Sequence, residues 1–230
     1  MKKLVVLTGA GMSSESGIRT FRETGGLWEE YDVNEVATPE AWKKDPDLVL
    51  RFYNERRKQL AGCMPNEGHR GLVRLEKFFD VQIITQNIDD LHERAGSSKV
   101  LHLHGELTKA RSTYDPSLIY HIGYNDIRKG DTCVQGSQLR PHVVWFGESV
   151  PMMDEAVHFT SHADIFVVIG SSLNVFPAAG LVQFAPSGAS LWLIDPNEVG
   201  VPANRKVQVI KERAGRGVEI LTQRLKEMYL

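Results

Sequence analysis

Short, continuous apolar runs rich in β-branched residues recur along the chain, at residues 4–7, 81–85, 100–103, 142–146, 165–169, 191–194 and 207–210. Most lack strict alternation, which is how strands buried on both faces of a parallel sheet read. Parallel strands need crossovers. The intervals carry helical patterns at 47–60 (apolar at Leu48, Phe52 and Leu60), 69–79, 154–161 and 218–230. This βα alternation predicts an α/β fold, a doubly wound parallel (Rossmann-like) sheet with helices on both faces and a ligand crevice beyond the carboxyl ends of its strands.

Two stretches break the alternation, a mostly helical one at about 28–64 and a polar, turn-rich one at about 109–141. They are expected to be insertions that build a small lobe over the crevice, within a single domain spanning 1–230. At 42% hydrophobic and 24% charged residues the chain can bury a core unaided. Lys and Arg number 27 against 29 Asp and Glu, a net charge of -2. That balance offers no global attraction to nucleic acid or to an anionic membrane, so a charged ligand must be met locally. The opening apolar run ends at Thr8-Gly9, short of a secretory segment, and no run approaches the ~20 residues of a membrane span. Two cysteines, Cys63 and Cys133, are too few for a disulfide framework, and the cytoplasm is the expected compartment.

Directly after the first run comes Thr8-Gly9-Ala10-Gly11-Met12-Ser13-Ser14-Glu15-Ser16-Gly17. Glycines at 9 and 11 would let the backbone approach a pyrophosphate, and a helix starting beyond them would aim free N–H groups at it. Ser14 occupies the place of the usual third glycine, and no acidic residue follows at the usual distance. An ordinary nicotinamide oxidoreductase is therefore disfavoured.

Gly9-Ala10-Gly11-Met12-Ser13, with Ser16-Gly17-Ile18 and Thr20-Phe21-Arg22, resembles the opening signature of the sirtuins, the NAD-dependent protein deacylases. Five further segments agree in order: Thr85-Gln86-Asn87-Ile88-Asp89, Leu103-His104-Gly105, Val143-Val144-Trp145-Phe146-Gly147-Glu148, Gly170-Ser171-Ser172-Leu173 with Pro177-Ala178-Ala179-Gly180, and Ile194-Asp195-Pro196-Asn197. Arg19 stands where that loop commonly carries proline. The resemblance implies NAD as cofactor and acyl-lysine proteins or peptides as substrates. It implies cleavage of the nicotinamide–ribose bond by the acyl oxygen and transfer of the acyl group to ADP-ribose.

On the same resemblance, the first loop contacts the cofactor through Gly9, Ala10, Gly11, Ser13, Phe21, Arg22 and Trp28. Gln86, Asn87, Ile88 and Asp89 hold the nicotinamide end, Gly170, Ser171, Ser172, Asp195 and Asn197 the adenosine end, and Ala214 is a further contact. His104, with Asn87 and Asp89, is the catalytic set: an imidazole of ordinary pKa ~6.5 at a strand end is poised to take a ribose hydroxyl proton. His102 stands two residues earlier, where period two turns both rings to one face, and only one need be catalytic. Val144, Phe146, Gly147 and Val175 are expected to flank the peptide, which could add as a strand. The rival reading is an NAD or ADP-ribose binder, or an NAD glycohydrolase, without peptide deacylation.

Tyr53 and Arg56 lie three apart and share one face of the helix predicted at 47–60. With Ala37 leaving room for a longer chain, the pair resembles the acyl pocket of desuccinylase-type bacterial sirtuins. A guanidinium fork and a phenol can hold a distal carboxylate by charge-assisted bonds of about 1.5–3 kcal/mol each, favouring succinyl or malonyl over acetyl. The bland alternative is that Arg56-Arg57-Lys58 is a solvated helix face. Most sirtuins also carry two Cys-x-x-Cys pairs in the small lobe, whereas residues 111–140 hold only Cys133. No metal is expected, since one thiolate cannot build a tetrahedral zinc site without unusual partners such as Asp115, His121 and Asp131. The lobe should instead bury Tyr114, Leu118, Ile119, Tyr120, Ile122, Tyr124 and Ile127.

Overall fold

A computed structural model describes residues 1–18, 31–200 and 205–230. Its strands are β1 (Lys3–Thr8), β2 (Asp80–Thr85), β3 (Val100–His102), β4 (Gly105–Ser112), β5 (Ile119–His121), β6 (Leu139–Val143), β7 (Ile165–Ile169), β8 (Ser190–Ile194) and β9 (Val207–Ile210). The helices are α1 (Val33–Val36), α2 (Pro39–Lys44), α3 (Pro46–Gly62), α4 (Glu67–Leu75), α5 (Leu91–Ala95), α6 (Met153–Ser161) and α7 (Ala214–Tyr229).

Six of the seven apolar runs form one sheet in the order β3-β2-β1-β7-β8-β9, with every pairing parallel. The chain winds outward from β1 through β2 and β3, then returns to the other side of β1 for β7, β8 and β9. Loops leaving the carboxyl ends therefore diverge beside β1, and that divergence opens the crevice. Leu4, Val6, Ile83 and Val167 bury one face of the sheet under Leu72 and Leu75 of α4 and Val218, Leu221 and Leu225 of α7. Val5, Leu7, Phe166 and Val168 bury the other under Ala156 of α6 and Leu181. Among the described residues no helix is long and apolar enough to cross a membrane.

The run at 142–146 does not join this sheet. Its first two residues end β6, which pairs antiparallel with β4 in a separate sheet ordered β5-β4-β6. Pro141 sits inside β6 and has no N–H to give to a second neighbour, so the strand belongs at an edge. The remaining apolar residues turn out of the strand into the crevice.

This three-stranded sheet and helices α1 to α3 make the small lobe. Asp45 starts α3 by accepting the N–H of Leu48 at 2.9 Å, with Pro46 at the first helical position. The expected apolar set does not hold the lobe together: Tyr114 is 79% exposed, Ile119 and Tyr124 are also exposed, and of the seven only Ile127 is fully buried. Leu50, Ala110 and Ile127 pack together instead, with Trp42, Ile122 and Leu139 against them, and polar ties add to that cluster. Fully buried Arg57 donates from Nε to Leu107 O at 2.8 Å and also bonds Asn54. Asn54 pairs with Ile127 in both directions, accepting its N–H at 3.0 Å and donating to its carbonyl at 2.9 Å.

Candidate active site

A cleft of about 400 Å³ runs between the carboxyl ends of the parallel strands and the small lobe. Gly9, Ala10, Gly11 and Ser13 enter it after β1, and Gln86, Asn87, Ile88 and Asp89 after β2. Gly170, Ser171 and Ser172 enter after β7, Asp195 and Asn197 after β8, and His104 between β3 and β4. Ala37, Tyr53, Arg56, Val144, Phe146, Gly147 and Val175 complete the wall on the lobe side and at the mouth. Phe21, Arg22 and Trp28 lie outside the described residues. Ala214 is not part of the lining: as the first residue of α7 it is buried in the core beneath the sheet.

The glycine-rich loop works differently from the sequence expectation. β1 is followed by two short 3-10 turns, Ala10–Met12 and Ser14–Ser16, rather than by an α-helix. The N–H groups of Gly9 and Gly11 are not free for phosphate, because they donate to Ile169 O at 3.0 Å and Gly170 O at 2.9 Å. The glycines instead let two loops interlock. A Cβ on Gly9 would lie 2.6 Å from Gly170 O, and one on Gly11 2.7 Å from Gly170 Cα. Gly170 itself holds φ +59, the left-handed region where glycine carries no steric cost.

Across the cleft, the turn after β2 is built from its own polar groups. Thr85 Oγ1 accepts the N–H of Asn87 at 3.0 Å, and Asn87 Nδ2 donates to Gly9 O at 3.0 Å and Ser13 Oγ at 3.2 Å. Ser13 Oγ in turn donates to Asp89 Oδ2 at 2.9 Å. Gln86 reaches the other way, donating from Nε2 to Ser171 Oγ at 2.9 Å. Burial pushes the Asp89 carboxyl up, against the hydrogen bonds from Leu91 N–H and Ser13.

His104 Nδ1 lies 3.0 Å from Gln86 O, a carbonyl that can only accept. The proton must therefore sit on Nδ1, which leaves Nε2 as the lone-pair nitrogen available to the cleft. Burial pulls the His104 pKa below its ordinary value, so the ring is neutral near pH 7. A neutral imidazole with a directed lone pair can take a proton. His102 does not line the cleft; its Nδ1 meets Asn87 O at 3.1 Å and its Nε2 meets Glu93.

At the lobe end, Tyr53 and Arg56 lie side by side on α3, both less than 10% exposed. The basic run is thus not a solvated face, since Arg56 and Arg57 are both buried. The guanidinium of Arg56 lies over the Phe52 ring, 5.6 Å from its centroid. Burial lowers the Arg56 pKa and pushes the Tyr53 hydroxyl up to about 12, so the pair presents a cation beside a protonated phenol.

The model of the Sir2 family matches residues 9–177. A protein of Bacteroides thetaiotaomicron named NAD-dependent protein deacylase is 55% identical over 230 residues, 98% of each chain. The chain belongs to the Sir2 family. A Helicobacter pylori protein of the same name is 50% identical over 228 residues, covering 99% of this chain and 97% of its own. The crystal structure of a Sir2 homologue–NAD complex superposes with a TM-score of 0.88 at 38% identity, covering 99% of this chain and 90% of the other.

In this Sir2 protein the four loop ends bring amides, hydroxyls and carboxyls to the switch point beside β1, a donor and acceptor set that fits a dinucleotide. Among the described residues no three His, Cys, Asp or Glu side chains gather to hold a metal. Asp115 accepts from Ser117, Asp131 accepts the N–H of Arg128, and Cys133 is buried beside Ser112. Sequence reasoning also missed Phe52 and Gln59 in the lining. Phe52 and Gln59 are legible afterwards as lying within one helical turn of Tyr53 and Arg56. Glu148 binds Arg140 through both carboxylate oxygens, at 2.7 and 3.1 Å, and accepts the Trp145 N–H at 2.8 Å.

Proposed function

We propose that this NAD-dependent protein deacylase removes succinyl and malonyl groups from lysine side chains, with acetyl as the poorer substrate. The observation that carries the reading is the burial of Tyr53 and Arg56 together in the same cleft as His104. A buried guanidinium and phenol are poorly matched by an acetyl methyl group, whereas a distal carboxylate accepts from both. Each such bond is worth about 1.5–3 kcal/mol, enough to set the preference.

The sheet-side loops supply the cofactor's seat. Gln86, Asn87, Ile88 and Asp89 hold its nicotinamide end, Gly170, Ser171, Ser172, Asp195 and Asn197 its adenosine end, and Gly9 to Ser13 the span between, with Phe21, Arg22 and Trp28 kept as further contacts. Bound NAD supplies the ribose carbon that the acyl oxygen attacks as nicotinamide leaves. His104 Nε2 takes a ribose hydroxyl proton, and its Nδ1–H stays anchored on Gln86 O throughout. Asn87 and Asp89 orient the reacting end through Ser13 and Gly9. The peptide passes between Val144, Phe146 and Gly147 on one side and Val175 on the other, bound by main-chain hydrogen bonds that carry little sequence preference. Both cysteines are free, in keeping with work in the cytoplasm.

The test is direct: incubate the protein with NAD and matched acetyl- and succinyl-lysine peptides, and follow deacylated peptide and O-acyl-ADP-ribose by mass spectrometry. Faster succinyl removal is expected. Nicotinamide release with no deacylated peptide from either substrate would instead make it an NAD glycohydrolase.

A further inference from the structure

His102 and His104 each set Nδ1 against a main-chain carbonyl of the turn after β2, His104 against Gln86 O and His102 against Asn87 O. Their second nitrogens differ. Nε2 of His102 meets Glu93 Oε1 at 2.8 Å, and the His102 side chain is only 8% exposed. Both partners of His102 are acceptors. A carbonyl never donates, and Glu93 is held below the usual carboxylate range: burial raises it, but the hydrogen bond and charge of His102 win. A neutral imidazole has one N–H, so it would set a lone pair against one of these oxygens, whereas an imidazolium satisfies both.

We infer that His102 is a positioning residue: as an imidazolium it clamps the Asn87 carbonyl to Glu93 of α5, and so holds the turn that carries Gln86, Asn87 and Asp89. The amide N–H of Asn87 is fixed on Thr85 and its side chain on Gly9 and Ser13. His102 anchors its carbonyl, the remaining polar group of that residue's backbone. The titratable groups facing the ring are Glu93 and His92 from α5, Glu106 from β4, and Asp89 in the turn itself. His92 is neutral, because burial drives its pKa well down. Burial of His102 opposes its charge, but the hydrogen bond and charge of Glu93 outweigh that and hold its pKa above the ordinary value. Two neighbouring histidines thus work in opposite states, His104 neutral as the base and His102 charged as the clamp.

The sign follows. His104 is active above its lowered pKa, and the clamp is lost as pH rises through the raised pKa of His102. The inference rests on the reading of this turn as the cofactor's seat.

The test is the pH dependence of kcat/KM for NAD at saturating acyl-lysine peptide, in the wild type, His102→Gln and Glu93→Gln. The wild type should lose activity as pH rises through the raised pKa of His102, above the ordinary histidine value. His102→Gln should lose that limb and keep the acid limb, with the plateau about 5- to 10-fold lower, chiefly through KM for NAD. Glu93→Gln should move the alkaline limb down by about one pH unit, as loss of an adjacent opposite charge requires. An unchanged alkaline limb in His102→Gln overturns the clamp. Should that variant not fold, an unshifted limb in Glu93→Gln, altered at a partly exposed position, overturns it equally. Asn87→Ala separates the two layers: an unaltered KM for NAD there defeats the reading of the turn itself.

Discussion

Trp145 donates its indole N–H to the hydroxyl oxygen of Tyr53 at 3.1 Å, with both side chains buried. The phenol oxygen is thereby occupied as an acceptor, and its own hydrogen is left to be donated. Behind Trp145 the Arg140 guanidinium stacks at 3.3 Å from the ring centroid, itself fixed by Glu148. A chain of three side chains, Glu148, Arg140 and Trp145, thus orients one phenol at the lobe end of the cleft. The Tyr53 hydroxyl, at about 12, does not ionise in the working range, so it remains a donor.

Arg56→Met keeps much of the apolar stem of the side chain and deletes the buried charge beside Tyr53. Desuccinylation should fall about 10- to 1,000-fold in kcat/KM, at ~1.4 kcal/mol per tenfold, with deacetylation hardly changed. Tyr53→Phe should give a smaller loss in the same direction. Paired measurements on succinyl- and acetyl-lysine peptides decide it, since equal falls in both would make Arg56 a structural residue.

His104→Ala should abolish deacylation while NAD still binds, because the missing lone pair acts in the chemical step. The wild-type acid limb should lie below the ordinary histidine value: burial favours the neutral ring, so the base stays competent as pH falls until protons reach its lowered pKa. Calorimetric NAD binding and a kcat/KM profile from pH 5 upward check both. An acid limb at or above pH 6.5, or near-normal turnover in the variant, would remove His104 from this role.

How much of this is legible in the sequence depends on what each residue faces. Ile165–Ile169 must be apolar throughout because both its faces are covered, and such a run reads as a strand without further help. The run at 142–146 has the same appearance, and only Pro141 hints that it belongs to an edge. Arg56 and Arg57 stand in a run that reads as solvated, yet both are buried, one toward the cleft and one bonded to Leu107 O. Nothing local distinguishes them from exposed Lys58 until α3 is packed on the lobe. The glycines at 9 and 11 are legible as a close approach, but the partner is the loop at Gly170, more than 150 residues away in the chain, which no local pattern can name.

The lobe should be indifferent to metal removal. Its ties are the apolar cluster of Leu50, Ala110 and Ile127 and hydrogen bonds such as Asn54 to Ile127 and Arg57 to Leu107, and Cys133 is buried beside Ser112. A chelator should leave the melting temperature and the deacylase rate unchanged, and elemental analysis of active protein should find well under one zinc per chain. One tightly held zinc per chain, lost with activity, would overturn this account of the lobe.

Gly170 and Gly17 both adopt positive φ, +59 and +87, but their surroundings differ completely. Among the described residues a Cβ on Gly17 meets nothing within 4 Å, so Gly17→Ala should cost only the left-handed conformation, about 1–2 kcal/mol. A Cβ on Gly170 would lie 2.4 Å from the Met12 nitrogen and 2.5 Å from the Gly11 carbonyl carbon, both rigid backbone. Overpacking of that kind adds about 1–3 kcal/mol and must push apart the loops after β1 and β7. Gly170→Ala should therefore unfold at clearly lower denaturant than Gly17→Ala. What remains folded should show a raised KM for NAD, because the displaced loops are those that line the sheet side of the cleft. Chemical denaturation of the two variants side by side, with NAD titrations of each, is the measurement, and equal losses of stability would show that the two loops are not interlocked as described.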